Sequence, residues 1–172
     1  MYPIYQGTYE RRPATPLRGR LAWRDQTVQW CKDLGRSIDY LETRGDIDGS
    51  RLAYHGMSMG SSNALPCLAV ESRFKTAILL EGGLNAQESP PETDPFHFAS
   101  HIRIPTLMIN GKDDFLFPVE QLQRPLFNLL GTPQDRKRHL LVEGGHGVPR
   151  NLLVRESLDW LDRYLGPVTG AP

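Results

Sequence analysis

Short apolar runs alternate with stretches of helical periodicity along almost the whole chain, and this alternation limits the fold more than any other feature of the sequence. The runs are Tyr2–Tyr5, Arg51–His55, Thr76–Leu80, Thr106–Asn110 and His139–Val142, each bounded by Gly, Pro or Asp. Short and largely aliphatic, they suit strands buried on both faces. Strand and helix in turn build βαβ units. The expected fold class is therefore α/β, a mostly parallel sheet of about five strands with helices on both faces.

The intervening segments carry the helices. From Leu21 to Arg44 the residues Trp23, Val28, Cys31, Leu34, Ile38 and Leu41 recur at helical spacing, with Gly45 the expected stop. A second helix should begin at Ser58 and carry Leu65, Leu68 and Ala69. A third, Val119 to Leu130, presents Leu122, Leu126 and Leu129 and stops at Gly131. The last has Pro149 near its first turn and Gly166-Pro167 after its end, with Leu153, Trp160, Leu161 and Tyr164 facing inward. Two stretches break the pattern. Gly7 to Arg20, rich in Arg and Pro, reads as a surface loop. Gly82 to Pro105 is longer than most strand-to-helix connections and suits a lid or pocket wall.

At 172 residues the chain has room for one domain, residues 1–165, followed by a polar tail, residues 166–172. Twenty basic and 20 acidic side chains cancel, which argues against nucleic acid or an anionic membrane as partner. No apolar run approaches the ~18 residues that span a bilayer. Met1-Tyr2-Pro3-Ile4 lacks the basic-then-apolar pattern of a secretory signal. Cys31 and Cys67 stand alone, without metal-ligand spacing, and read as buried reduced thiols. The expected location is cytoplasmic.

The chemistry centres on Gly56-Met57-Ser58-Met59-Gly60, which joins a strand directly to a helix. In that setting G-x-S-x-G is a nucleophile elbow. The sharp turn strains the serine backbone, exposes its hydroxyl at the strand tip, and asks for small residues at positions 56 and 60. A serine hydroxyl needs a base, and the base needs a carboxylate to hold its tautomer. Both partners should follow the serine, the acid first, each after a strand. Thr106–Asn110 runs into Gly111-Lys112-Asp113-Asp114, and His139–Val142 into Glu143-Gly144-Gly145-His146-Gly147. His146 is thus the candidate base, ahead of His55, His97, His101 and His139. Asp113 and Asp114 compete for the acid, with Glu81 a further choice that more simply reads as a rim residue. The N–H of Met59 should face the oxyanion.

These residues resemble the α/β-hydrolase superfamily, most closely its dienelactone-hydrolase-like and prolyl-oligopeptidase-like bacterial esterases. The similarity runs from Met1 to about Leu165. It is carried by Tyr2–Arg11, Asp46-Ile47-Asp48, the elbow, Ile104–Gly111 and Gly144-Gly145-His146. In such esterases the acid stands three residues after the glycine, which selects Asp114, and the histidine follows a Gly-Gly pair, which selects His146. The resemblance implies a carboxylesterase-type serine hydrolase with Ser58, Asp114 and His146 as its catalytic residues. It implies an ester substrate, a short acyl group, and no metal or organic cofactor. Peptidase or thioesterase action by the same triad is the alternative, as is a non-catalytic binding module or a fragment of a larger hydrolase.

Relative to that family the chain lacks the first three strands, and with them the loop that usually gives the second oxyanion donor. Strand Tyr2–Tyr5 is expected to fill the vacant place beside the elbow strand, so that Tyr5, Gln6 or Gly7 could donate instead. An open sheet edge also favours a homo-oligomer.

Overall fold

A computed structural model describes residues 1–15, 18–19, 21–87 and 89–168. Its centre is a parallel sheet of four strands in the order β1-β2-β3-β4, formed by Ala53–Met57, Thr76–Leu80, Thr106–Gly111 and Lys137–Val142. Every residue of β2 and β3 is buried. That is the expected fate of a continuous apolar run with a strand on each side and helices above and below.

Alternate side chains of the sheet feed two cores. Ala77, Leu79 and Met108 point into the larger one, with Leu34 and Ile38 of α1 (Ala22–Glu42), Leu65 and Leu68 of α3 (Leu65–Val70), and Leu126 of α5 (Arg124–Leu129). The short helix α4 (Pro95–Ala99), inside the long Gly82–Pro105 connection, adds Ala99 to that core, and α2 (Met59–Ser62) follows β1 directly, with Ser61 and Ser62 buried. Ile78, Leu80, Leu107 and Ile109 face the other way, onto Trp160 of α6 (Arg150–Leu165). Trp160 Nε1–H donates to Thr76 Oγ1 at 2.7 Å, so the indole is satisfied inside the second core.

Several expectations from the sequence need correction. Tyr2–Tyr5 is not a strand, and the sheet has four strands among the described residues where about five were expected. The segment lies instead against α1. Trp30 Nε1–H and Gln26 Nε2–H donate to Gln6 O at 2.9 and 2.6 Å, and Asp33 accepts from the amide of Gln6 and pairs with Arg11. Side chains of a helix thus meet the backbone groups that a neighbouring strand would have met. The outer edge of β1 consequently has no strand beside it among the described residues.

Cys31 and Cys67 are not free thiols. They form a disulfide with Cα atoms 4.8 Å apart, joining α1 to α3, and the thiol-based ground for a cytoplasmic location goes with them. Helix α1 ends at Glu42, two residues short of the expected Arg44, and the Thr43 hydroxyl that follows donates to Tyr40 O at 2.7 Å. The expected helix over Val119–Leu130 is split: Val119–Gln123 forms one wide turn, and the α-helix proper starts at Arg124, with Pro125 in its first turn. The last helix ends as expected, at Gly166 with φ 80°. Residues 169–172 of the expected tail lie outside the described residues.

Candidate active site

Strand β1 delivers Ser58 into a conformation that an L-residue rarely adopts, φ 53° and ψ −114°. Two contacts hold it there. The Ser58 amide donates to Leu80 O at 2.8 Å, extending the β1–β2 ladder, and Tyr54 Oη–H donates to Gly60 O at 2.6 Å. Gly56 is required by sterics, since a Cβ on it would lie 2.2 Å from the Gly60 carbonyl oxygen. The matching expectation for position 60 is not met: a Cβ there would find its nearest neighbour, Tyr54 Oη, only at 4.0 Å.

Strand β3 delivers Asp114, which is buried, and β4 delivers His146. His146 Nδ1 lies 2.8 Å from Asp114 Oδ2, and His146 Nε2 lies 2.9 Å from Ser58 Oγ. The second carboxylate oxygen of Asp114 accepts from the amides of Leu116 and Phe117 at 2.9 and 3.1 Å. A carboxylate so placed acts as acceptor only, which puts the imidazole proton on Nδ1 and leaves Nε2 free to accept from the serine hydroxyl. Asp113 is exposed, and only its backbone joins in, its amide donating to Gly144 O at 2.9 Å.

The other candidate histidines stand apart from this group. His97 and His101 are exposed near α4. His139 is packed against Phe127 at the far edge of the sheet, where burial, with the Arg124 charge second, pushes its pKa down to about 4. His55 precedes the elbow on β1. Met59, the first residue of α2, has an amide with no acceptor one turn back and follows the serine directly. Of the three amides considered as a second donor, Gln6 N–H is taken by Asp33 and Gly7 N–H by Arg11 O at 3.1 Å. That leaves Tyr5, which lines a small apolar cleft together with Met59, Trp30 and Tyr54. Among the described residues no cluster of His, Cys, Asp or Glu is placed to hold a metal ion.

Two contributors, Phe117 and Gln123, carry no sign in the sequence reading, and a third, Glu81, is placed differently from its expectation. Phe117 stacks on the His146 ring at 5.9 Å between centroids. Gln123, fully buried, donates to Gly111 O and Phe117 O and so ties down both ends of the acid loop. Glu81 is not a rim residue but is buried, and its Oε1 accepts from the Val148 amide. A glutamate directly after the apolar run Ala77–Leu80 is the one signal the sequence offers for these residues.

Comparison with known proteins places these features in context. A family model described as PETase, PET hydrolase-like, matches residues 24–169. Cutinase 2 of Thermobifida cellulosilytica is 29% identical over 154 residues, which cover 82% of this chain and 53% of the cutinase. A bis(hydroxyethyl) terephthalate hydrolase of Streptomyces coelicolor is 28% identical over 148 residues, covering 82% of this chain and 44% of its own length. The chain thus spans about half the length of the curated relatives it matches. Among solved structures, a cold-adapted esterase from an Arctic intertidal metagenomic library superposes with a TM-score of 0.70 at 27% identity, covering 84% of this chain and 63% of the esterase. An α/β hydrolase of Penicillium reaches 0.71 at 13% identity over 82% of this chain and 73% of its own, a likeness of fold alone.

Proposed function

The chain belongs to the PET hydrolase-like family, and from that membership and the geometry around Ser58 we propose that it is a serine hydrolase of carboxylic esters with short acyl groups. The observation that carries this reading is the unbroken relay from Ser58 Oγ through His146 to Asp114, at 2.9 and 2.8 Å, with the serine held at φ 53°. Cutinases, a terephthalate-ester hydrolase and an esterase among its relatives support the same bond as target.

Ser58 Oγ attacks the acyl carbonyl as its proton passes to His146 Nε2. Asp114 keeps the imidazole in the accepting tautomer and stabilises the imidazolium that forms. The amide of Met59 supports the charge developing on the carbonyl oxygen. When the tetrahedral intermediate collapses, the C–O bond to the alcohol breaks and His146 returns the proton to the leaving oxygen. Water, deprotonated by the same imidazole, then frees the acid from the acyl-serine.

Hydrolysis of nitrophenyl acetate, nitrophenyl butyrate and longer homologues, with bis(hydroxyethyl) terephthalate as a further substrate, tests the reading. Turnover is expected to be fastest on the short esters and lost in Ser58→Ala. Equal rates in the wild type and Ser58→Ala would refute it, and a preference for long acyl chains would refute the short-chain part.

A further inference from the structure

The histidine sits in a segment with little stiffness of its own. Between the end of β4 and the start of α6 run Glu143, Gly144, Gly145, His146, Gly147, Val148 and Pro149, three glycines among seven residues, with Gly144 at φ 127°. On the β4 side of His146 the segment is fixed by the Asp113 amide, which donates to Gly144 O at 2.9 Å. On the other side the tie comes from a distant residue. Glu81 Oε1 accepts from the Val148 amide at 2.5 Å, across 67 positions of sequence.

Glu81 is unusual on two further counts. It is 6% exposed at the end of a strand whose other side chains are all apolar or hydroxylic. It also holds φ 48°, one of three non-glycine residues among those described with positive φ; Ser58 is another. Its own amide donates to Ile109 O at 2.9 Å, which anchors it to β3. A strained backbone and a buried carboxylate, both next to the elbow strand, are costly features that a plain strand end would not carry. The carboxylate meets an amide two residues beyond the imidazole and not the imidazole itself, so it does not duplicate Asp114.

We propose that Glu81 is a positioning residue for the hydrolytic site: its carboxylate clamps the Val148 amide and thereby keeps His146 Nε2 within reach of Ser58 Oγ. This inference rests on the reading of Ser58 as nucleophile. A shift of the imidazole by a fraction of an ångström lengthens the hydrogen bond through which the serine loses its proton, which acts on kcat and leaves substrate binding alone.

The test uses three substitutions. Glu81→Gly removes the carboxylate while easing the positive-φ backbone. Glu81→Asn tolerates the same backbone but is one methylene too short to reach Val148. Glu81→Gln keeps a carbonyl oxygen at full reach. In ester hydrolysis the Gly and Asn variants are expected to lose roughly 10- to 100-fold in kcat with KM within about twofold, and Gln should recover most of the loss. Hydrogen exchange at the Val148 amide should be protected in the wild type and in Gln, and fast in Gly and Asn. Wild-type kcat in Glu81→Gly or Glu81→Asn, or an unprotected Val148 amide in the wild type, would overturn the proposal. Ser58→Ala in the same assay separates the two claims. If it stays active, the nucleophile assignment fails. If it is inactive while the Glu81 variants keep full activity, only the clamp fails.

Discussion

On the β3–β4 side of the sheet the loops bearing Asp114 and His146 are bound to each other through backbone groups, Lys112 N–H to Val142 O and Asp113 N–H to Gly144 O, each at 2.9 Å. A Cβ on Gly111 would lie 2.0 Å from Gly145 O, so strand end and loop are in direct backbone contact. Among the described residues β1 and β4 are the two edges of the sheet, so each has a strand along one side only. The segment beyond the elbow strand is held by side chains of α1 and, through that helix, by the Cys31–Cys67 disulfide. Asp114 and His146 therefore sit on loops that are bonded to each other through their backbones. The serine is set by one ladder bond and a tight turn, while the cleft beside it depends on how firmly α1 is pinned. The ties on the two sides thus differ in kind: backbone to backbone between the Asp114 and His146 loops, and helix side chain to backbone in the segment beside the elbow.

Three measurements would break or sharpen that contrast, taken from the largest expected effect downward. Asp114→Asn keeps the shape of the ladder side but favours the wrong imidazole tautomer. Its kcat on nitrophenyl acetate is expected to fall by about 10⁴-fold, with little change in melting temperature. A fall below about tenfold would mean that the acid is not Asp114. Next, Leu79→Ala in the fully buried β2 should cost about 2–5 kcal/mol in urea unfolding. Met57→Ala, at 57% exposure on the edge strand, should cost no more than about 0.5 kcal/mol. Similar losses at the two positions would erase the distinction between centre and edge. Finally, the Cys31→Ser/Cys67→Ser pair removes a cross-link that spans 36 positions, for which chain entropy suggests about 3–4 kcal/mol at most. Because the helices carrying these cysteines wall the Met59 cleft, activity should weaken before the protein unfolds, whereas the hydrogen exchange of β3 and β4 amides should stay as in the wild type. Equal loosening of β4 would count against a site divided in this way.

The same contrast explains how much could be read from the sequence. Thr76–Leu80 is found at its expected bounds and Thr106–Asn110 gains only Gly111, because a run buried on both faces announces itself by composition alone. Ser58, Asp114 and His146 could be picked out from the sequence as residues that meet, because each follows a strand and each has a steric or chemical reason for its type. What failed were pairings between distant parts. Tyr2–Tyr5 has the composition of a strand, but a strand also needs an edge to bond to, and in this chain the side chains of Trp30, Gln26 and Asp33 claim the adjoining backbone first. The disulfide was hidden because it depends on which faces of α1 and α3 meet. Glu81 was misplaced at the rim because its partner, a plain backbone amide at Val148, leaves no trace in residue type.

The central claim is that Ser58 is a nucleophile activated by His146. Treatment with a nitrophenyl phosphonate diester, followed by peptide mass mapping, tests it without any assumption about the natural substrate. One phosphonyl group per chain is expected, carried by Ser58, with labelling abolished in Ser58→Ala and slowed at least about 10³-fold in His146→Ala. Labelling at another residue, or at Ser58 with equal speed in His146→Ala, would contradict the account.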